Sequence, residues 1–257
     1  MQISTWAPQG GTSFDKRFRK SVRDGTSKPS PLGFLQMNKS RLLALCLAMM
    51  LFNPPMTSAG ANQTETPAPW IVAAKIMRYE QEHSATGVYL KPGLVVTAAH
   101  LTVNWTADLS VHVAGAVLPA NLVKQGEFEE VDLSLFSVDD QKLPERVARI
   151  QTSLCQAPPW PGDPVIVVDH AGATRSHIVA PQILPLGFRT KFHTLIGDVA
   201  STGNSGSGVF DPNRKCLLGI MSRKFVVGGK DVAKYFVPAS EIREFIPIER
   251  RDQVLIN

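Results

Sequence analysis

The segment Ser201-Thr202-Gly203-Asn204-Ser205-Gly206-Ser207-Gly208 gathers glycine and small turn-forming residues around one serine, just ahead of Val209-Phe210. Such freedom before a buried strand suits a backbone that must approach something closely. A serine between glycines can present its hydroxyl at a sharp turn. The amides around it then face the oxygen of whatever the hydroxyl attacks. The same residues also suit a plain Gly/Ser hairpin loop. A serine hydroxyl is unreactive at neutral pH, so chemistry here needs a base, usually a histidine, oriented by a buried acid.

Six histidines are available as that base. His100 ends an apolar run and follows Thr97-Ala98-Ala99, whose small side chains leave an imidazole room. His112 lies between Val111 and Val113, on the opposite face of a strand, and reads as solvent-facing. His83, His170 and His177 sit in loop-like surroundings, and His193 is a secondary candidate for lining a cleft near the serine. Among the acids, Asp132 opens the alternating segment Val131-Asp132-Leu133-Ser134-Leu135, so its carboxylate can be partly buried. Glu127, Glu129, Glu130, Asp139 and Asp140 read as solvated turn charges. No close histidine pair or other metal-ligand spacing is visible, and neither metal nor organic cofactor is implied.

The elements that must position these groups read as short strands. Apolar segments at 70–77, 87–90, 94–100, 111–114 and 116–118 are separated by Lys91-Pro92-Gly93 and Gly115. Residues 122–124 and 131–138 follow. Residues 143–157, with Pro144 inside and Pro158-Pro159 behind, read as a connector between two halves. Further strands are expected at 165–168, 176–184, 192–196, 208–210, 217–222 and 235–237. A short helix at 241–246 closes the pattern, with Ser240 as its N-cap. Many short strands spaced by turns argue for an all-β barrel architecture.

Val95-Val96-Thr97-Ala98-Ala99-His100, then Asp132-Leu133-Ser134-Leu135, then Gly203-Asn204-Ser205-Gly206-Ser207-Gly208 resemble the chymotrypsin/trypsin-like serine protease superfamily, in its order of His, Asp and Ser. The flavour is similar to a bacterial HtrA-type protease domain, without a following PDZ-like region. The resemblance covers roughly residues 70–248 and implies two six-stranded Greek-key barrels with a short C-terminal helix, at 62–145 and 146–257. It implies a serine endopeptidase with His100, Asp132 and Ser205 as the triad. The amides of Gly203 and Ser205 would form the oxyanion hole. Val199 and Ala200 would floor the substrate pocket, with Ser222, Arg223 and Lys224 along its wall. No acid stands at the floor, so cleavage after Arg or Lys is not expected; an apolar or small residue fits better. Two departures stand out. Asn204 occupies the place of the aspartate that pairs with a new N-terminus in pancreatic-type enzymes, so no zymogen switch of that kind is expected. Ser207 replaces a common glycine.

The 257-residue chain has a net charge of +5, but the basic excess is confined to its front. Residues 1–61 hold eight Lys/Arg and two acids, leaving 19 basic and 20 acidic side chains in the remainder. A nucleic-acid footprint would be a basic patch on the folded part, so nucleic acid is set aside. Residues 37–61 read as a secretory signal: a cationic head at Met37-Asn38-Lys39-Ser40-Arg41, an apolar run at 42–52, and Ala59-Gly60-Ala61 as a cleavage site. Residues 1–36 are expected to be a disordered head or an upstream extension ahead of a true start at Met37. Export, periplasmic or extracellular, would leave Cys155 and Cys216 as an even pair in an oxidising compartment, where a disulfide is expected; two buried thiols are the alternative. No membrane anchor would survive signal cleavage. The expected partner is a polypeptide substrate, and the oligomeric state is not readable. Two other functions compete: an inactive protease-fold module that binds peptides, and a serine esterase. The esterase is disfavoured because Gly203-Asn204-Ser205-Gly206-Ser207 lacks the closing glycine of Gly-x-Ser-x-Gly and no helix follows.

Overall fold

The computed structural model describes residues 2–4 (as backbone), 67–78, 84–105, 109–197, 205–254 and 256. Fourteen strands follow in chain order: β1 (Gln2–Ser4), β2 (Ala73–Arg78), β3 (Ser84–Leu90), β4 (Leu94–Thr97), β5 (Leu109–Val113), β6 (Ala116–Gln125), β7 (Ser134–Val138), β8 (Ser153–Leu154), β9 (Pro164–Val168), β10 (Ala173–Val179), β11 (Leu195–Ile196), β12 (Gly208–Asp211), β13 (Cys216–Val227) and β14 (Lys230–Pro238). The helices among the described residues are short: α1 (Glu145–Ala148), α2 (Leu186–Arg189), α3 (Ala239–Phe245) and α4 (Ile248–Arg251), besides three 3₁₀ turns.

Strands β2-β3-β4-β7-β6-β5 close into one barrel, with β5 pairing back onto β2. Strands β13-β12-β9-β10-β11-β14 close into a second, sealed by the β13–β14 pair. All pairs within both rings are antiparallel. The fold is therefore all-β, two six-stranded barrels of the chymotrypsin type with a C-terminal helix. Closure removes the unpaired strand edges that an open sheet would present. β1 and β8 are additions to the second ring, both on β13.

The apolar pattern explains the layers. In β3 and β4, Val88, Leu90, Leu94 and Val96 contribute to one apolar cluster and Tyr89 and Val95 to another. Strands buried on both faces need an unbroken apolar run, and residues 94–96 supply one. One cluster draws only on the first barrel and its connector, centred on Ile76, Tyr89 and Phe136. A second draws on the other barrel, including Val167, Val209, Met221 and Phe236. A third joins both halves: Val88, Leu94 and Leu135 meet Phe210, Ile220, Phe225 and Val237, with Ile242 and Phe245 of α3. Burying this third cluster docks the barrels, since apolar burial stabilises by about 25 cal/mol per Å².

Several expected boundaries shift. Val113 pairs with Ala116 across Ala114 (φ 48°) and Gly115 (φ 89°), a two-residue hairpin with both central residues left-handed. β6 is one ten-residue strand where two pieces are expected. β13 continues through Ser222 to Val227. Asp132 does not open a strand. It lies in the loop before β7, where Leu133 N donates to Val131 O at 2.8 Å and puts Asp132 at the apex of a three-residue turn. The C-terminal helix starts at Ala239 after Pro238, so Ser240 falls inside its first turn and is not the N-cap. The expected leader at residues 37–61, like residues 5–36, lies outside the described residues.

The connector is tied to β13 three ways. β8 runs parallel to it, Cys155 N donates to Leu217 O at 2.9 Å, and Cys155 and Cys216 form a disulfide with a sequence separation of 61. The β12–β13 turn is held by Asp211. Its carboxylate accepts from the backbone of Asn213 and Arg214 (2.8 and 2.9 Å) and from Arg214 Nε (2.5 Å). Burial works against this charge, but those hydrogen bonds and the Arg214 cation outweigh it and hold the carboxyl below its usual range.

Two outcomes are expected. A Cys155→Ala/Cys216→Ala variant should lose about 4 kcal/mol in urea unfolding, the chain-entropy value for a loop of this size. Asp211→Asn should cost about 1–2 kcal/mol at pH 7. A depressed carboxylate contributes fully above its unfolded pKa, near 3.9, and loses that contribution as pH falls through the lower folded value. The gap between wild type and Asp211→Asn should therefore narrow below about pH 4 in acid unfolding.

Candidate active site

His100 sits in a 3₁₀ turn (Ala99–Leu101) directly after β4. Ala98 and Ala99 are buried, so the turn needs small residues there. It is pinned from both sides: Thr97 Oγ1 donates to Thr86 O of β3 at 2.5 Å, and Thr102 Oγ1 donates to Ser134 Oγ at the start of β7 at 2.9 Å. The loop carrying Asp132 is held by Gly126, whose amide donates to Leu133 O at 2.8 Å. A Cβ at Gly126 would lie 2.1 Å from Val131 O, so only glycine lets β6 end this close to the loop.

These two supports bring His100 and Asp132 together. The His100 ring Nδ1 lies 2.8 Å from Asp132 Oδ2, and the His100 amide donates to Asp132 Oδ1 at 3.0 Å. A carboxylate only accepts, so Nδ1 carries a proton, and in the neutral ring Nε2 is the acceptor. Asp132 is 1% exposed, and the His100 side chain 13%. A third donor comes from the other barrel: Ser222 Oγ donates to Asp132 Oδ2 at 2.6 Å. These three donors meet the carboxylate, as a buried charge requires.

Ser205 reaches the same place from the segment before β12. Gly206 N donates to Met221 O at 2.8 Å, and Met221 N donates to Ser207 O at 2.9 Å, locking the segment to β13. Gly206 has φ +85°, and a Cβ there would lie 2.0 Å from Thr86 O and 2.6 Å from Thr97 Oγ1. The glycine thus lets the serine segment of one barrel touch β3 and β4 of the other, three residues before His100. The Ser205 hydroxyl donates to the Ser222 carbonyl oxygen at 3.0 Å. Its single proton is therefore engaged with β13 and not with His100 Nε2. Ser207 is buried, with no hydrogen-bond partner for its hydroxyl among the described residues.

The remaining expected residues divide. Val199, Ala200, Gly203 and Asn204 lie outside the described residues. Ser222, which the sequence places along a pocket wall, turns its hydroxyl onto Asp132. Arg223 is 6% exposed and stacks on Phe128 and Phe192, its guanidinium carbon 3.9 and 5.0 Å from the ring centroids. Lys224 pairs with Asp231 across the β13–β14 hairpin at 3.2 Å. His170 Nδ1 meets Thr86 Oγ1 at 2.9 Å, His112 is half-buried beside Ser110, and His193 is exposed. Among the described residues, no group of His, Cys, Asp and Glu side chains is arranged to hold a metal ion.

Sequence reasoning missed two groups. Phe128, inside an acidic run, presents its ring to the His100 imidazole edge-to-face at 5.3 Å. The Ser222 hydroxyl contact is the other. A local pattern signals neither, because Phe128 meets His100 from a distant loop and the Ser222 contact depends on an irregularity in β13. Met221 pairs with Phe236 and Arg223 with Tyr235, so Ser222 is the extra residue of a β-bulge. A bulge re-aims side chains. Here it turns two successive ones toward the same site.

Burial lowers the Arg223 pKa, an effect opposed by Asp132, Glu129 and Tyr235. Burial likewise raises the neighbouring Tyr235 hydroxyl, with Glu241 adding to it and Arg223 opposing. Tyr235 is thus neutral at ordinary pH and Arg223 charged, making Arg223 a buried cation within the field of Asp132.

A family model described as the trypsin-like peptidase domain matches residues 85–220. No curated protein sequence matches the chain. Among solved structures, kallikrein-related peptidase 10 in complex with Zn2+ is similar at 19% identity and a TM-score of 0.55, over 73% of this chain and 99% of that one. The Rv3671c protease of M. tuberculosis in its active form is 15% identical with a TM-score of 0.47, over 76% and 92%. A serine endoprotease from Yersinia pestis is 19% identical with a TM-score of 0.49, over 69% and 61%. At 19% identity the likeness to the kallikrein-related peptidase speaks for the fold alone. The family model is different evidence: it spans more than half of the sequence, from β3 of one barrel into β13 of the other, and by that match the protein belongs to the trypsin-like peptidase family.

Proposed function

We propose that the protein is an exported serine endopeptidase that hydrolyses peptide bonds through an acyl-enzyme, with Ser205 as nucleophile, His100 as general base and Asp132 as its orienting acid. The observation that carries this reading is the Asp132 carboxylate, which holds both the backbone and the ring N–H of His100 and accepts from Ser222, whose own carbonyl takes the Ser205 hydroxyl. The held tautomer leaves Nε2 ready to accept a proton.

The first step asks Ser205 to leave the Ser222 carbonyl and donate to His100 Nε2, a torsional change that substrate can drive. Catalytic hydrogen bonds often form fully only in the substrate complex. Ser205 Oγ then attacks the scissile carbonyl carbon while its proton passes to Nε2. The imidazolium returns that proton to the leaving amine, and Asp132 stabilises the transient cation. Water, deprotonated in turn by His100, cleaves the ester and restores the serine. The Gly203 and Ser205 amides would hold the oxyanion, each worth about 3–4 kcal/mol in the transition state. Substrates are polypeptides with an apolar or small residue before the scissile bond, received by a pocket floored by Val199 and Ala200. The disulfide supports export, since such bonds persist in oxidising compartments.

One observation favours a second reading. The Ser205 proton rests on Ser222 O, a geometry also suited to a protease-fold module that binds peptides without cutting them.

Fluorophosphonate labelling of the mature protein separates the two. Labelling of wild type that is lost in both Ser205→Ala and His100→Ala supports the triad. A folded wild type that stays unlabelled favours the binding module, and casein cleavage distinguishes peptidase from esterase. Ser222→Ala should cost about 1.5–3 kcal/mol in urea unfolding, the value of a hydrogen bond to a charged group. A loss below about 0.5 kcal/mol, the lower bound for an ordinary hydrogen bond, would deny Ser222 that place.

A further inference from the structure

We propose that Arg223 is a positioning residue for the His100–Asp132 pair, holding in place the two groups, Ser222 and Phe128, that fix the carboxylate and the imidazole. The inference rests on the serine-peptidase reading above and deepens it.

The geometry has two arms. Along the first, Arg223 Nε donates to Ser222 Oγ at a long 3.4 Å, Ser222 Oγ donates to Asp132 Oδ2 at 2.6 Å, and that same oxygen holds His100 Nδ1 at 2.8 Å. The donor direction is consistent throughout: the Ser222 hydroxyl accepts from the cation and gives its own proton to the anion. Along the second, Arg223 Nη2 donates to the Phe128 carbonyl while the guanidinium carbon sits over the Phe128 ring, 3.9 Å from its centroid. That ring meets the imidazole edge-to-face at 5.3 Å. Phe192 lies along the guanidinium as well, 5.0 Å from its carbon.

This arrangement suits arginine in particular. A planar guanidinium stacks on aromatic faces and donates at fixed angles from its rim, which an ammonium cannot do. A buried cation is costly unless paired. Its paired field comes from Asp132 and Glu129, and a cavity of about 100 Å³ lined by Glu130, Lys191 and Glu241 adjoins it. The bulge at Ser222 explains how adjacent residues of one strand serve the same site.

The test uses the full chain with Arg223→Met, which keeps the stem and removes the charge, and Arg223→Lys, which keeps the charge and removes the fork. Folding is followed by circular dichroism, Ser205 by fluorophosphonate labelling rate, and the His100–Asp132 proton by its low-field NMR resonance. The folded Met variant is expected to label about tenfold or more slowly, roughly 1.4 kcal/mol, with the low-field resonance shifted or lost. Arg223→Lys should fall between it and wild type. Labelling at the wild-type rate overturns the proposal, as does slower labelling with an unchanged resonance, which would place the effect elsewhere. If Arg223→Met does not fold, the Lys variant decides: an unchanged rate and resonance overturn the proposal. A wild type that never labels, but whose resonance is lost in Arg223→Met, sinks the peptidase reading and leaves this one standing.

Discussion

A carboxylate at 1% exposure is the constraint on which the site depends. An unpaired charge in that position would cost several kcal/mol, and a protein avoids this only by supplying donors. Asp132 receives them from residues 100 and 222, with Arg223 supplying charge nearby. The donors come from both barrels. Two of them come with His100 from its own barrel, and the third, the Ser222 hydroxyl, arrives only when the barrels are docked, on the same oxygen that orients the imidazole. A buried ion of this kind is weak evidence for stability. Its value is that it couples a correct interface to a correct imidazole.

The apolar interface cannot do this alone. Val88, Leu94 and Leu135 against Phe210, Phe225 and Val237 give a large but non-directional attraction. Such a surface tolerates small shifts. Two close approaches remove that tolerance. Gly126 lets the Asp132 loop sit against the end of β6, and Gly206 lets the serine segment press on Thr86 and Thr97. At each, a methyl group would occupy space already filled by a carbonyl oxygen. Directional contacts sit on top of this packing: Thr97 on β3, Thr102 on β7, Ser222 on Asp132.

What was legible in the sequence follows from this division. Strand types were readable because burial on one or both faces leaves a period of two or an unbroken apolar run, as in residues 94–96. The Cys155–Cys216 pairing was readable from parity and expected compartment. His100, Asp132 and Ser205 were each candidates from small or alternating neighbours, and only the family resemblance joined them in one site; of the three, His100 and Asp132 are in contact. Boundaries were less so. Asp132 lies inside a hydrophobic alternation that continues through it, although the backbone turns there instead of extending. β13 reads as ending at Ser222, with Arg223 and Lys224 assigned to a pocket wall by the resemblance. In the fold one of those cations is buried between aromatic rings. A charged side chain becomes a core residue only through partners far away in sequence, and no local pattern carries that information.

The bulge in β13 is where this matters most. In a regular strand, Ser222 and Arg223 would point to opposite faces, and a shift of one residue would exchange them. Only one could then face Asp132. The extra residue between the Met221–Phe236 and Arg223–Tyr235 pairs lets both do so, while Met221 before it and Phe225 after it keep their places in the apolar clusters. The disulfide at Cys216 and the Asp211 turn fix where β13 begins, six residues ahead of the bulge. Register along this strand therefore decides whether a hydroxyl reaches a buried charge. It follows that the devices anchoring β13 belong to the site as much as the residues that touch His100.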